Sequence, residues 1–127
     1  MGIRLTAASL LTRATRRDLR VARSVAAADL VPAELPPRVA VLVAGAAEPG
    51  WIAFACPCGT GHQAMVNLAA SRRPRWTLTG PRRAPTLSPS LDLGDGQHRC
   101  HFWIRGGRVR WAEPPRTTAP RIPMEDR

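Results

Sequence analysis

HFWIRGGRVRWA, residues 101–112, decides the fold. With Gly106-Gly107 as a two-residue turn, Arg105 faces Arg108, Ile104 faces Val109, Trp103 faces Arg110 and Phe102 faces Trp111. Strand alternation then gathers Phe102, Ile104, Val109 and Trp111 on one apolar face. Trp103 and Arg110 share the other, where a cation–π contact between them is expected. Upstream, Arg38–Ala44 (RVAVLVA) and Trp51–Ala55 (WIAFA) read as strands rich in β-branched and aromatic residues. Met65–Leu68 and Arg75–Thr79 are weaker strand candidates. Pro74, Pro81, Pro85 and Pro89 argue against helix in the middle of the chain.

Two clusters flank this β region and hold every cysteine and histidine of the chain: Cys56-Pro-Cys58-Gly-Thr-Gly-His62 and His98-Arg-Cys100-His101. The first follows a strand and lies on a Pro/Gly turn, whose backbone N–H groups can point at sulfur and stabilise a metal-bound thiolate. In the second, His98 and Cys100 share the parity of Phe102 and Ile104 and so face the core, whereas His101 points the other way with Trp103 and Arg105. Cys56, Cys58, His98 and Cys100 would then form a Cys₃His zinc site, with His62 and His101 as substitute ligands. Two simpler readings compete: buried thiols acting as small hydrophobes, and a vicinal redox pair with Cys100 as the resolving thiol. The convergence of all the soft ligands on two short segments favours zinc. The expected fold is therefore mainly β, a small zinc-stapled antiparallel sheet with a C-terminal hairpin and an Arg-rich, helical N-terminal extension.

The ends of the chain differ from this centre. Residues 1–25 carry six arginines against Asp18 alone, and Arg13, Arg16, Arg17, Arg20 and Arg23 recur at the three- and four-residue spacing that a helix would stack into one stripe. Pro32, Pro36 and Pro37 then mark the start of the compact part. After Glu113 the chain runs PPRTTAPRIPMEDR, proline-rich and expected to be disordered. The boundaries expected are a basic extension over 1–31, a zinc-binding β domain over 32–113 and a tail over 114–127.

The whole chain has 127 residues, enough for one domain, and a formal charge of +10. All of its cations are arginines; with no lysine, Schiff-base chemistry and lysine acetylation of this chain are excluded. No apolar run approaches the roughly 20 residues that a membrane helix needs. Thiol-based metal binding suits a reducing, cytoplasmic setting. Arg72, Arg73, Arg75, Arg82 and Arg83 flank Trp76, and Arg105, Arg108 and Arg110 flank Trp103 and Trp111. Arginine interleaved with tryptophan suits phosphate neutralisation with base stacking, so a nucleic-acid partner is one expectation.

The order WxxFxCPCGxGHxxxxNL, PTLSPS, HFWIRxGRVxW over residues 51–111 resembles a small bacterial family of unknown function. Its members look like zinc-binding proteins encoded beside ubiquitin-like conjugation genes of mobile or anti-phage operons. The family reads CPCGCG in the first cluster and CxSHF in the second. Cys56, Cys58, His101 and Phe102 match that pattern, Thr60 replaces a cysteine, His98 stands where the family has cysteine, and Cys100 where it has serine. The resemblance implies an accessory or adaptor protein of a ubiquitin-like conjugation or defence pathway, with a protein partner from that pathway. It also allows a peptidase that processes ubiquitin-like conjugates. For that chemistry His101, Ser88 and Ser90 are the candidates, because a histidine beside a hydroxyl is the minimum for nucleophilic catalysis.

Overall fold

A computed structural model describes residues 18–45, 49–94 and 98–117, with the backbone alone at 98, 116 and 117. The architecture is mainly β, as expected: eight strands in two four-stranded sheets. The first sheet has the order β1 (Arg20–Val25), β2 (Val39–Val43), β3 (Trp51–Ala55), β4 (Gln63–Asn67). The second follows chain order through β5 (Thr77–Thr79), β6 (Thr86–Gly94), β7 (His98–Arg105) and β8 (Arg108–Thr117), all antiparallel.

The hairpin forms in the expected register, with Arg105 opposite Arg108, Ile104 opposite Val109, Trp103 opposite Arg110 and Phe102 opposite Trp111. Gly106 and Gly107 both have positive φ, 58° and 83°, the geometry of a type I′ turn, which glycine adopts without steric cost. At Gly107 a side chain has no room either: a Cβ there would lie 2.9 Å from the Leu19 carbonyl oxygen. The backbone of Gly107 accepts a hydrogen bond from Leu19 N–H (2.6 Å) and donates one to the Pro85 carbonyl (2.7 Å).

The two sheets share one core. Ala40, Ile52, Phe54 and Val66 of the first pack with Leu87, Leu91, Cys100, Phe102 and Ile104 of the second. Phe102 and Ile104 are fully buried, and Trp111 closes the rim with its ring 5.3 Å from that of Phe102. The cation over Trp103 is Arg105, at 4.5 Å, rather than the expected Arg110.

Two expectations need correction. Arg20 and Arg23 lie on β1, not on a helix, and β1 runs parallel to β2. Leu19 and Val21 are buried, and the N–H groups of Arg20 and Val21 bond to the carbonyls of Arg38 and Arg82; tertiary pairing overrides a weak helical preference. A register shift between Val21 and Arg23 leaves both arginines exposed despite their three-residue spacing. The rest of the expected stripe, Arg13, Arg16 and Arg17, lies outside the described residues. The proline-rich tail begins later than expected, because β8 continues to Thr117. Its Pro114 and Pro115 fall between the pairs His101–Glu113 and Arg99–Arg116, where the register shifts and a missing N–H costs no ladder bond. PTLSPS, whose prolines argue only against helix, is largely strand: β6 runs through Pro89, again at a register shift.

Candidate active site

The β3–β4 turn carries the first cysteine cluster. Cys56 follows the last residue of β3 and its N–H bonds to the His62 carbonyl at 2.9 Å, while Gly59 and Gly61, with φ of 80° and 104°, bend the intervening chain back. From the other sheet β7 delivers Cys100, buried on the core side. The ligand atoms of Cys56, Cys58, His62 and Cys100 all lie within 4.8 Å of one another. A tetrahedral ion with metal–sulfur bonds of about 2.3 Å sets its ligand atoms roughly 3.5–3.8 Å apart, so this set can close on a metal ion with small side-chain movements. The cluster joins the two sheets, as a staple would.

Its electrostatics suit cation binding. Burial raises the Cys58 pKa, but the Thr60 hydroxyl and backbone, Cys56 and His62 outweigh it and hold Cys58 at about 6. The Thr60 hydroxyl lies 3.1 Å from Cys58 Sγ. Threonine in place of a cysteine thus leaves a hydrogen-bonding group beside the thiolate. Burial pushes the Cys56 thiol up. Among the described residues all three cysteines are free thiols. Their convergence with an imidazole makes a group that could hold a metal ion. Of the expected ligands, the structure brings together Cys56, Cys58 and Cys100, with His62 as the fourth. The backbone of His98 pairs with Thr117, and its side chain lies outside the described residues. His101 points away, as parity required.

On the opposite face of β7, His101 sits between two neighbours. Its Nε2 is 3.0 Å from Ser90 Oγ on β6, and its Nδ1 is 3.4 Å from Glu113 Oε2 on β8. A hydroxyl, an imidazole and a carboxylate in that sequence form the nucleophile–base–orienting acid arrangement of serine hydrolases. Both flanking groups arrive by way of register shifts. Between the pairs Leu87–Ile104 and Leu91–Phe102 the β6 strand carries extra residues around Ser90. Between Phe102–Trp111 and His101–Glu113 the β8 strand carries Ala112 as an extra residue. Bulges of this kind re-aim side chains beside active sites.

The loop between β4 and β5 supports Ser90. The indole Nε1 of Trp76 donates to the Ser90 carbonyl at 3.2 Å. The carboxamide of buried Asn67 holds that loop: its Nδ2 donates to the carbonyls of Ala69, Arg72 and Pro74, and its Oδ1 accepts from Ala69 N–H and Arg72 Nε. Arg72 also stacks over Trp51 at 4.2 Å. Of the two candidate serines, Ser90 bonds His101, while Ser88 is exposed and pairs with Thr77.

Glu113 escaped the sequence reading because an uninterrupted hairpin places Ala112 opposite His101. Trp76 escaped because its flanking arginines drew attention to nucleic acid. The only signal for either was the presence of a carboxylate and an indole near a histidine, which is too common to single them out.

No helix of the described residues is long and apolar enough to cross a membrane. No curated protein and no solved structure matches the chain. A family profile does match, over residues 27–112, a span that holds Ser90, His101 and the whole cysteine–histidine cluster and stops one residue short of Glu113. Its description names a protease where the resemblance had implied a family without an assigned function. The chain belongs to the family described as the bacterial ubiquitination-like system serine protease, BubE.

Proposed function

We propose that this protein is a serine hydrolase that cleaves acyl bonds in conjugates or precursors of its ubiquitination-like system, rather than an adaptor within it. The observation that carries the reading is the contact of His101 with Ser90 on one side and Glu113 on the other. With Nδ1 protonated, His101 donates to the Glu113 carboxylate and leaves Nε2 free to accept the Ser90 proton. Ser90 Oγ attacks the substrate carbonyl carbon as its proton passes to Nε2. The same Nε2–H then protonates the leaving amine or alcohol, and the C–N or C–O bond breaks to give an acyl-Ser90 ester. A water molecule activated by His101 hydrolyses that ester. Glu113 stays ionised throughout, fixing the tautomer and stabilising the imidazolium.

The metal we assign to the cluster is zinc, since three thiolates and one imidazole suit its borderline-soft character and tetrahedral preference. Four protein ligands leave no open position, and Cys100 and His101 point to opposite sides of β7. The site is therefore structural: it fixes the strand that carries the base. Reduced thiols at such a site suit the cytoplasm.

The deciding experiment combines two readouts. A fluorophosphonate probe should label the wild-type protein at Ser90, and labelling should disappear in S90A and H101A. Both variants should keep one zinc per chain and fail to cleave a conjugate of the ubiquitin-like protein. Unlabelled wild-type protein that binds zinc and folds, or a fully active S90A, would sink the reading in favour of an adaptor.

A further inference from the structure

We propose that the outer face of β7 and β8 is the substrate subsite of this hydrolase, and that it takes an extended peptide segment carrying acidic side chains. The inference rests on the hydrolase reading for its orientation. Pairing fixes the face: Glu113 is opposite His101, Arg110 opposite Trp103, and Arg108 opposite Arg105, so these six side chains share the side of the sheet that holds Ser90. Moving along it from the catalytic histidine, one meets Trp103 with Arg110 and then Arg105 with Arg108.

Three features make this more than a solvated charge run. Arg105 and Arg108 are directly opposed, and like charges so placed destabilise a strand pair; an anion lodged between them would relieve that cost. The Arg105 guanidinium is stacked 4.5 Å above the Trp103 ring, which orders the side chain before binding while its N–H edges remain available to a carboxylate. The nearby acids are engaged elsewhere, Asp92 on Arg99 at 2.9 Å and Glu113 on His101. Arg110 is exposed, and its side chain has no hydrogen bond or ion pair among the described residues. Arg108 is held only loosely, 4.0 Å from Asp18.

Spacing then sets which substrate positions are read. Same-face neighbours on a strand are about 6.6 Å apart, and an extended peptide advances about 3.3 Å per residue. Counted along the strand from His101, the Trp103–Arg110 pair therefore lies roughly two substrate residues away and the Arg105–Arg108 pair roughly four. A phosphate backbone offers the same charge as an acidic peptide, but the serine–histidine–glutamate arrangement acts on acyl carbon. The favoured occupant is therefore a peptide with Asp or Glu at those positions.

The test uses the S90A protein, which needs no turnover, and fluorescence anisotropy with labelled ten-residue peptides differing only in Glu or Lys at two and four residues from a central Gly-Gly. The Glu peptide is expected to bind about tenfold tighter than the Lys peptide, the order of one charge-assisted hydrogen bond. Added salt should erode that advantage. In R105E/R110E the preference should reverse, a gain for the Lys peptide that an unfolded protein could not produce. If that variant does not fold, R110Q should cut the Glu preference severalfold with an unchanged melting temperature. Equal affinities for the two peptides, a Glu preference that survives these substitutions, or tighter binding of a single-stranded oligonucleotide than of the Glu peptide would overturn the proposal. Failure of the hydrolase reading shows separately, as absent fluorophosphonate labelling of wild-type Ser90.

Discussion

His101 lies opposite Glu113, with Nδ1 and Oε2 3.4 Å apart, although an uninterrupted hairpin would put Ala112 there. One extra residue in β8 thus decides whether the imidazole has an acidic partner. The pairing gives Glu113 a role distinct from that of Asp92, the other acid beside His101 in the sheet, which forms a bidentate ion pair with Arg99. E113Q should lower kcat about 10³- to 10⁴-fold with KM little changed, as loss of the orienting carboxylate does in serine hydrolases. D92N should cost less than about tenfold, since that carboxylate serves an exposed ion pair. Steady-state kinetics on one substrate compares the two. A larger loss in D92N than in E113Q would move the acid's role to Asp92.

Removing the metal should loosen the fold before it affects the chemistry. Apparent zinc binding energies of about 10–16 kcal/mol match or exceed the whole stability of a small domain, and the cluster ties the β3–β4 turn to β7. Chelation by phenanthroline is expected to lower the melting temperature by well over about 10 °C, with hydrolysis lost in the same transition. C100S should reproduce that loss with reduced metal content. Metal analysis alongside calorimetry checks both. Protein that is free of metal yet melts at the wild-type temperature would show that the sheets hold together without it.

The hairpin, β2 and β3 were legible because their apolar residues alternate or run together and a Gly-Gly turn fixes the register. Cys56, Cys58 and Cys100 were legible because strand parity and residue type point the same way. What remained hidden depends on bulges and on partners distant in sequence. The sequence offers Ser90 beside Ser88, but only the bulge in β6 distinguishes them by bringing Ser90 to His101, and Glu113 reaches His101 only through the extra Ala112. β1 was hidden because its pairing with β2 and its bonds to Arg38 and Arg82 come from other parts of the chain. Local periodicity carries no information about such insertions.

Thiol reactivity should follow the asymmetry between neighbouring cysteines. In metal-stripped protein, alkylation of Cys58 should rise with pH to half its maximum near pH 6, whereas Cys56, raised by burial, should react only under strongly alkaline conditions. The folded Cys58 value lies below that of an ordinary thiol, 9.0. Its contribution to stability is therefore fully present above pH 9.0 and falls away as pH drops through about 6. Mass-spectrometric alkylation rates from pH 5 to pH 10 read out the order directly. Equal rates for the two thiols would remove the asymmetry.

In the hydrolase reading, Trp76 acts as a positioning residue for Ser90. Its indole N–H holds the Ser90 carbonyl at 3.2 Å, and its own backbone N–H bonds to the Asn67 carbonyl at 2.9 Å. The loop organised by Asn67 is thereby coupled to the bulge that aims Ser90. W76F keeps most of the packing and removes one neutral hydrogen bond, a loss of about 1 kcal/mol in stability. The rate should suffer more than that figure implies, because small displacements of a nucleophile from its base are costly. The expected result is a fall in kcat of about 10- to 100-fold, with KM and zinc content unchanged and fluorophosphonate labelling slowed in proportion. A variant that loses stability but labels at the wild-type rate would leave Trp76 as a packing residue alone.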